Sequence, residues 1–272
     1  LGFTIIEIIG GWYTNSIAIL SDALHDLGDS LSLGAAWYFQ RVSHRSRDKA
    51  YSYGYQRFSM LGAVISSLVL MAGSVLILRE AVPRLWQPSV SNATGMILLA
   101  VLGVVVNGIA MSRLERKHSH NERVLSLHLL EDVLGWVAVL IGSIVMYFTG
   151  WHWIDPFLSI GITLYILVQV WRSFRSMLRI LLQGVPENIS MEAVQQSLNE
   201  IAGVRSWHDL HIWGLDGKKN ILTVHMVVEE ALSNELVSAV KQDVHAAMSR
   251  LNIEHTTVEV EHVDMECALE SC

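Results

Sequence analysis

Three stretches of this chain, residues 58–78, 93–112 and 133–154, carry no charged side chain. Each is about as long as the roughly 20-residue helix needed to cross the hydrocarbon core of a bilayer. Shorter apolar runs occupy 1–20, broken by Glu7, then 30–40 and 156–171. The pattern predicts six membrane helices, near 1–20, 21–40, 57–81, 92–112, 124–149 and 155–178. The first run leads into further spans and not into a small-residue cleavage site, so it does not read as a signal peptide. Because the chain begins at Leu1 without a methionine, its true N-terminus and part of the first helix are expected to lie upstream.

After Gly184 the pattern changes. Ser190 precedes an amphipathic helix over 191–201 and Ser233 another over 234–251, and serine is a favoured N-terminal cap. Between them WHDLHIWGL and ILTVHMVVE read as strands joined through Asp216-Gly217, a hairpin signal. TTVEVEHV supplies a last strand. The order α-β-β-α-β gives a small open sheet with helices on one face, similar to metallochaperone folds. The expected protein is an α-helical membrane protein: six transmembrane helices over 1–183, then a small α/β cytoplasmic domain over 184–272.

Composition agrees with this division, at 51% hydrophobic and 17% charged positions. Up to residue 183 there are 14 Lys/Arg against 11 Asp/Glu, and beyond it 5 against 15. The formal charges are therefore +3 and −10. All the basic residues of the first part except Arg79 and Arg84 follow helices two, four and six. By the positive-inside rule both termini and the acidic domain are cytoplasmic, in a multi-pass protein expected in the cell (inner) membrane. An acidic soluble domain argues against nucleic acid and suits cations. The only cysteines, Cys267 and Cys272, sit in the last residues. They imply no disulfide scaffold; as thiolates they could take soft cations, and as a terminal tail they need no role.

The stretch SDALHDLGDS, residues 21–30, puts three aspartates and a histidine between two apolar runs. A helix turns about 100° per residue, so Asp22, His25, Asp26 and Asp29 share one face of helix two, with His25 and Asp29 one turn apart. Helix five repeats the arrangement in HLLEDVLG, where His128 and Asp132 are again four apart and Glu131 is near the same face. Side by side, the two helices could present two imidazoles and two carboxylates at a common depth. Interfacial hydration explains Asp22 but not a set that reaches Asp29. A carboxylate near the bilayer centre costs about 3 kcal/mol on insertion scales, so it normally has a partner and a function. Two His and two Asp suit tetrahedral zinc, whereas magnesium and calcium want oxygen. The same ligands bind protons, because a metal needs its His neutral and its Asp ionised. Competition between metal and protons at one site is a chemical basis for exchange. Asp22 and Asp26 have no counterparts in helix five and read as entrance or proton-path residues. Glu131 is a further titratable group if it faces inward and structural if it faces a neighbouring helix or the cytoplasmic loop.

The segments GGWYTNSIAILSDALHDLGDSL (residues 10–31), VVVNG in helix four, HLLEDVLG in helix five, Asp155-Pro156 with Ser159, and HDLHIW (208–213) resemble the cation diffusion facilitators. The likeness runs over nearly the whole chain and is to zinc-transporting members with a His-x-x-x-Asp pair in helices two and five. It implies that His25, Asp29, His128 and Asp132 bind the transported ion near mid-membrane. Glu131 departs from the family pattern, which has glycine there, and a carboxylate beside the site could alter its proton affinity or ion preference. Asn15 and Asn107 match polar family positions and read as interhelical hydrogen-bonding groups. Six of the twelve histidines, His208, His211, His225, His245, His255 and His262, follow Gly184. The resemblance implies a domain that dimerises in the cytosol, with His208, His225, His262 and Asp264 as metal ligands. His211, His245 and His255 read as ordinary surface or packed residues.

The connections between helices add little. In RVSHRSRDKAYSYGYQRFSM only His44 and Asp48 are plausible ligands, and the arginines are better read as topology signals or lipid-headgroup contacts. His118 and His120, between helices four and five, read as solvated. The expected function is a homodimeric secondary transporter that exports Zn²⁺ from the cytosol in exchange for protons. Cd, Co, Fe or Mn as main substrate is the alternative, since affinity order alone does not set selectivity. Neither Gly-x-x-x-x-Gly-Lys nor His-Glu-x-x-His occurs. An ion gradient is therefore the expected driving force, and a membrane-embedded metal-dependent hydrolase is the weaker reading.

Overall fold

The computed structural model describes residues 1–114, 120–228 and 233–263, the side chains of 114–128 and of Asn234 apart. Six helices come first: α1 Gly2–Thr14, α2 Ile17–Ser43, α3 Phe58–Trp86, α4 Ala93–Leu114, α5 His120–Thr149 and α6 Ile154–Leu181. Then follow α7 Met191–Asn199, β1 Val204–Gly214, β2 Asn220–Val228, α8 Asn234–Arg250 and β3 His255–His262. This is the order expected from the sequence. Helices α3, α4, α6 and the Leu129–Thr149 part of α5 are long and apolar enough to cross a membrane. Their large apolar side chains point outward, with Phe148 at 80% exposure and, on α1, Trp12 at 82%. That is the reverse of a water-soluble surface. Trp12, Tyr13, Trp151 and Trp153 cluster at helix ends, where amphipathic rings favour the interface.

One boundary differs from expectation. The first break falls at Asn15 and Ser16 instead of at 20/21. Asn15 adopts φ 53°, the left-handed region that asparagine tolerates. The fully buried Asp155 then accepts hydrogen bonds from Ser16 Oγ (2.5 Å), Ile17 N (2.9 Å) and Ala18 N (3.2 Å). A carboxylate on the first N–H groups of a helix satisfies them and suits the positive end of its dipole. SDALHDLGDS therefore lies inside α2 and not at its start.

The chain forms two compact units, Leu1–Tyr38 with Gly62–Ser173, and Phe39–Leu61 with Phe174–Cys272. The division cuts through α2, α3 and α6. In the first unit Ala18, Ile19, Met96, Ala100, Trp136 and Val139 form the apolar centre. Ser21 and Thr163 hydroxyls meet at 2.7 Å, which ties α2 to α6.

In the second unit the sheet order is β1-β2-β3, with β1–β2 antiparallel and β2–β3 parallel. Leu222, Val224, Met226 and Val228 on β2 pack with Val194 and Leu198 of α7 and Val240, Val244 and Met248 of α8. Both helices thus cover one face, and alternation sends Thr223 and His225 to the other. Ser190 and Ser233 cap α7 and α8, accepting from Ala193 N and Leu236 N. Gly217 at φ 81° and Asp216, which accepts from Lys218 N and Lys219 N, close the hairpin.

Candidate metal-binding sites

His25 and Asp29 stand one turn apart on α2, and the side chain of Asp132 reaches the same imidazole from α5. His25 Nε2 is 3.7 Å from Asp29 Oδ2 and 3.8 Å from Asp132 Oδ1. A cavity of about 350 Å³ opens beside them, lined by Asp22, His25, Glu131, Asp132 and, from α6, Tyr165. His128 lies on α5, and its side chain is outside the described residues. Glu131 and Tyr165 both line this cavity. Asn15 donates to Val90 O (3.2 Å) and its Oδ1 accepts from Arg84 of α3 (3.0 Å), so it joins elements at the α1–α2 turn.

The second group lies on the open face of the sheet. His208 of β1 is directly paired with His225 of β2, and their rings are 5.2 Å apart. Glu261 of β3 bridges them: Oε1 is 2.7 Å from His225 Nδ1, and Oε2 is 3.4 Å from His208 Nε2. His208 Nε2 is buried with no hydrogen-bond partner among the described residues. Asp209 sits at a register shift in β1 with φ 48°. Its carboxylate is 2.8 Å from His211 Nε2 and 3.7 Å from His225 Nε2. Two imidazoles and a carboxylate with ligand atoms within 4.8 Å of one another have the chemistry of a zinc-type donor set.

This set differs from the expected one. His262 pairs with Val228 and shares the parity of Val258 and Val260, which pack on the helix side. It therefore points away from His225, and Glu261 takes that place. Asp264, Cys267, Cys272 and His118 lie outside the described residues, as does the side chain of His120. The signal for Glu261 is present in VEVEH: once Val258 and Val260 belong to the core, residues 259 and 261 must face the other way.

In the α2–α3 connection Asp48 is committed to the chain itself. Oδ1 accepts from Ala50 N (2.8 Å) and Tyr51 N (2.9 Å), and Oδ2 from the Tyr55 hydroxyl (2.7 Å). The Tyr55 hydroxyl, aided by the two backbone N–H groups, holds the Asp48 carboxyl below the usual range. The same bond raises the Tyr55 phenol.

Residues 1–182 match the family model for the cation efflux transmembrane domain, and residues 186–263 that for the cation efflux protein cytoplasmic domain. The chain belongs to the cation efflux family. This cation efflux protein is thus a membrane transporter of divalent metal cations and not an enzyme, and its α/β domain is cytoplasmic. It is 37% identical over 270 residues to the metal cation efflux system protein CzcD of Cupriavidus metallidurans, covering 98% of this chain and 84% of that one. It is 34% identical over 264 residues to the cadmium, cobalt and zinc/H(+)-K(+) antiporter of Bacillus subtilis, covering 96% and 85%. The zinc transporter ZitB of Yersinia pestis is 32% identical over 274 residues, covering 99% and 86%. Among solved structures, the metal-bound C-terminal domain of the CzcD transporter from Cuprividus metallidurans is 32% identical, covering 27% of this chain and 99% of that one, with a TM-score of 0.25.

Proposed function

We propose that this protein exports Zn²⁺ from the cytosol in exchange for protons, as a homodimer. The transport step belongs to residues 1–183 and metal sensing to 184–272. The observation that carries the reading is the His25 imidazole held between carboxylates of two different helices at the edge of a cavity. Ligand atoms about 2.0–2.2 Å from a tetrahedral zinc stand roughly 3.4 Å from one another. The observed 3.7 and 3.8 Å therefore require a contraction of only a few tenths of an ångström. His128, one turn before Asp132 on α5, is the proposed fourth ligand. Zinc needs His25 and His128 neutral and Asp29 and Asp132 ionised, so protons arriving from the far side weaken its hold. Rocking of the helices would present the site first to one side and then to the other.

The similarity to a cadmium, cobalt and zinc/H(+)-K(+) antiporter and to the zinc transporter ZitB supports zinc and proton coupling. The cytoplasmic group of His208, His225 and Glu261, with Asp264 proposed to complete it, would take Zn²⁺ and tighten the dimer that the family model for 186–263 denotes.

Purified protein in sealed vesicles tests the transport reading. An imposed proton gradient should drive Zn²⁺ flux, and Asp29→Ala should reduce it by more than the roughly 10–100-fold typical of losing an outer-shell group. Flux without a gradient requirement, or an Asp29→Ala variant as active as wild type, overturns it. Cadmium and cobalt also occur in a relative's name, so competition by these ions in the same vesicles ranks the substrates.

A further inference from the structure

Beside the transport cavity stands a second polar group that the zinc chemistry does not use. Glu7 of α1 and Asp22 and Asp26 of α2 bring carboxylate oxygens within 4.8 Å of one another. On α1, Ile5, Ile6, Ile8 and Ile9 are 43–61% exposed, whereas Glu7 is 0% exposed. The one charged residue of that helix is turned inward, against α2. Both Glu7 oxygens are buried with no hydrogen-bond partner among the described residues, and they point into the group. Asp22 is 8% exposed and Asp26 is half-buried.

A buried carboxylate without a partner is strongly unfavourable, and removing it from water is repaid only by a compensating charge in good geometry. No lysine or arginine pairs with any of the three among the described residues. Protons or a cation from outside the chain must therefore offset their charge. We infer that Glu7, Asp22 and Asp26 form a second cation site, which takes a hard, oxygen-preferring divalent ion of the Mg²⁺ and Mn²⁺ type. Three carboxylates without imidazole or thiol make an all-oxygen donor set, the kind that suits these ions. With all three ionised, a divalent ion leaves one negative charge where a monovalent ion would leave two.

Asp22 lines the cavity that also reaches His25 and Asp132, so an ion entering there has access to both groups. The nitrogen-containing set and the all-oxygen set would then sort cations by type within one cavity. This site stands whether or not the exported ion is zinc.

The test is a Mn²⁺ titration of the full-length protein in detergent, read from the electron paramagnetic resonance signal of free Mn²⁺. Wild type should hold one more Mn²⁺ per protomer than either Glu7→Gln or Asp26→Asn, and Asp29→Ala should keep that ion. Both amide variants preserve side-chain shape. Should Glu7→Gln lose its elution position on size exclusion, Asp26→Asn decides. Equal Mn²⁺ binding by the amide variants and wild type overturns the inference and assigns the compensating charge to protons. Loss of the ion in Asp29→Ala also overturns it, by placing that ion in the transport site. Neither result bears on whether a proton gradient drives Zn²⁺ flux, which the vesicle experiment reads separately.

Discussion

At the residue scale Asp155 is the clearest case of a side chain acting through another element. Its carboxylate anchors the first turn of α2, the helix that carries His25 and Asp29. A hydrogen bond to a charged group contributes about 1.5–3 kcal/mol, and the buried donors left behind would be unsatisfied. Asp155→Ala is expected to destabilise the protein by at least about 2 kcal/mol and to abolish flux, checked by thermal unfolding in detergent and by the vesicle assay. Asp48 acts on a smaller scale. Its carboxyl is held below the usual range, so its contribution is present above about pH 4, the ordinary aspartate value, and is lost as pH falls through the lower folded value. Tyrosine emission from Tyr51 and Tyr55 should therefore stay constant from neutral pH to about 4 and change below it. In Asp48→Asn that acid transition should be absent.

At the element scale, helix packing depends on a few close approaches. A Cβ at Gly103 of α4 would lie 2.2 Å from Trp136 Cδ2 of α5, and Trp136 is 1% exposed, with Phe3 against its ring at 5.8 Å. The indole has no room to retreat. Gly103→Ala should cost about 1–3 kcal/mol through overpacking. Gly108, on the same helix, has nothing within 4 Å of such a Cβ. Gly108→Ala should be neutral or stabilising by up to about 1 kcal/mol, the helix preference of alanine. Unfolding midpoints of the two variants, measured side by side, separate packing from propensity.

At the scale of the whole molecule the chain combines two materials. The first part presents apolar side chains outward, and the acidic second part folds around an apolar core of its own. The metal proposed on the open face of the sheet would link that second part to a partner copy. His225→Ala and Glu261→Gln should both remove Zn²⁺-dependent tightening of the dimer, measured by sedimentation of full-length protein in detergent. A dimer that tightens with Zn²⁺ as in wild type would exclude these residues from that role.

What could be read from the sequence by itself was whatever depends on neighbours within a few positions. The charge-free runs marked the long helices, Ser190 and Ser233 marked the caps of α7 and α8, and Asp216-Gly217 marked the hairpin. Spacing of four put His25 beside Asp29. Tertiary structure alone decided the rest, because the partners are far apart in the chain. The start of α2 depends on a carboxylate 138 positions away, which no local pattern of hydrophobicity contains. Glu7 looked like an interruption in an apolar run until α1 packed it against Asp22 and Asp26. Glu261 entered the histidine pair on the sheet, and His262 did not, because a strand turns successive side chains to opposite faces and only the packed helices determine which face is open.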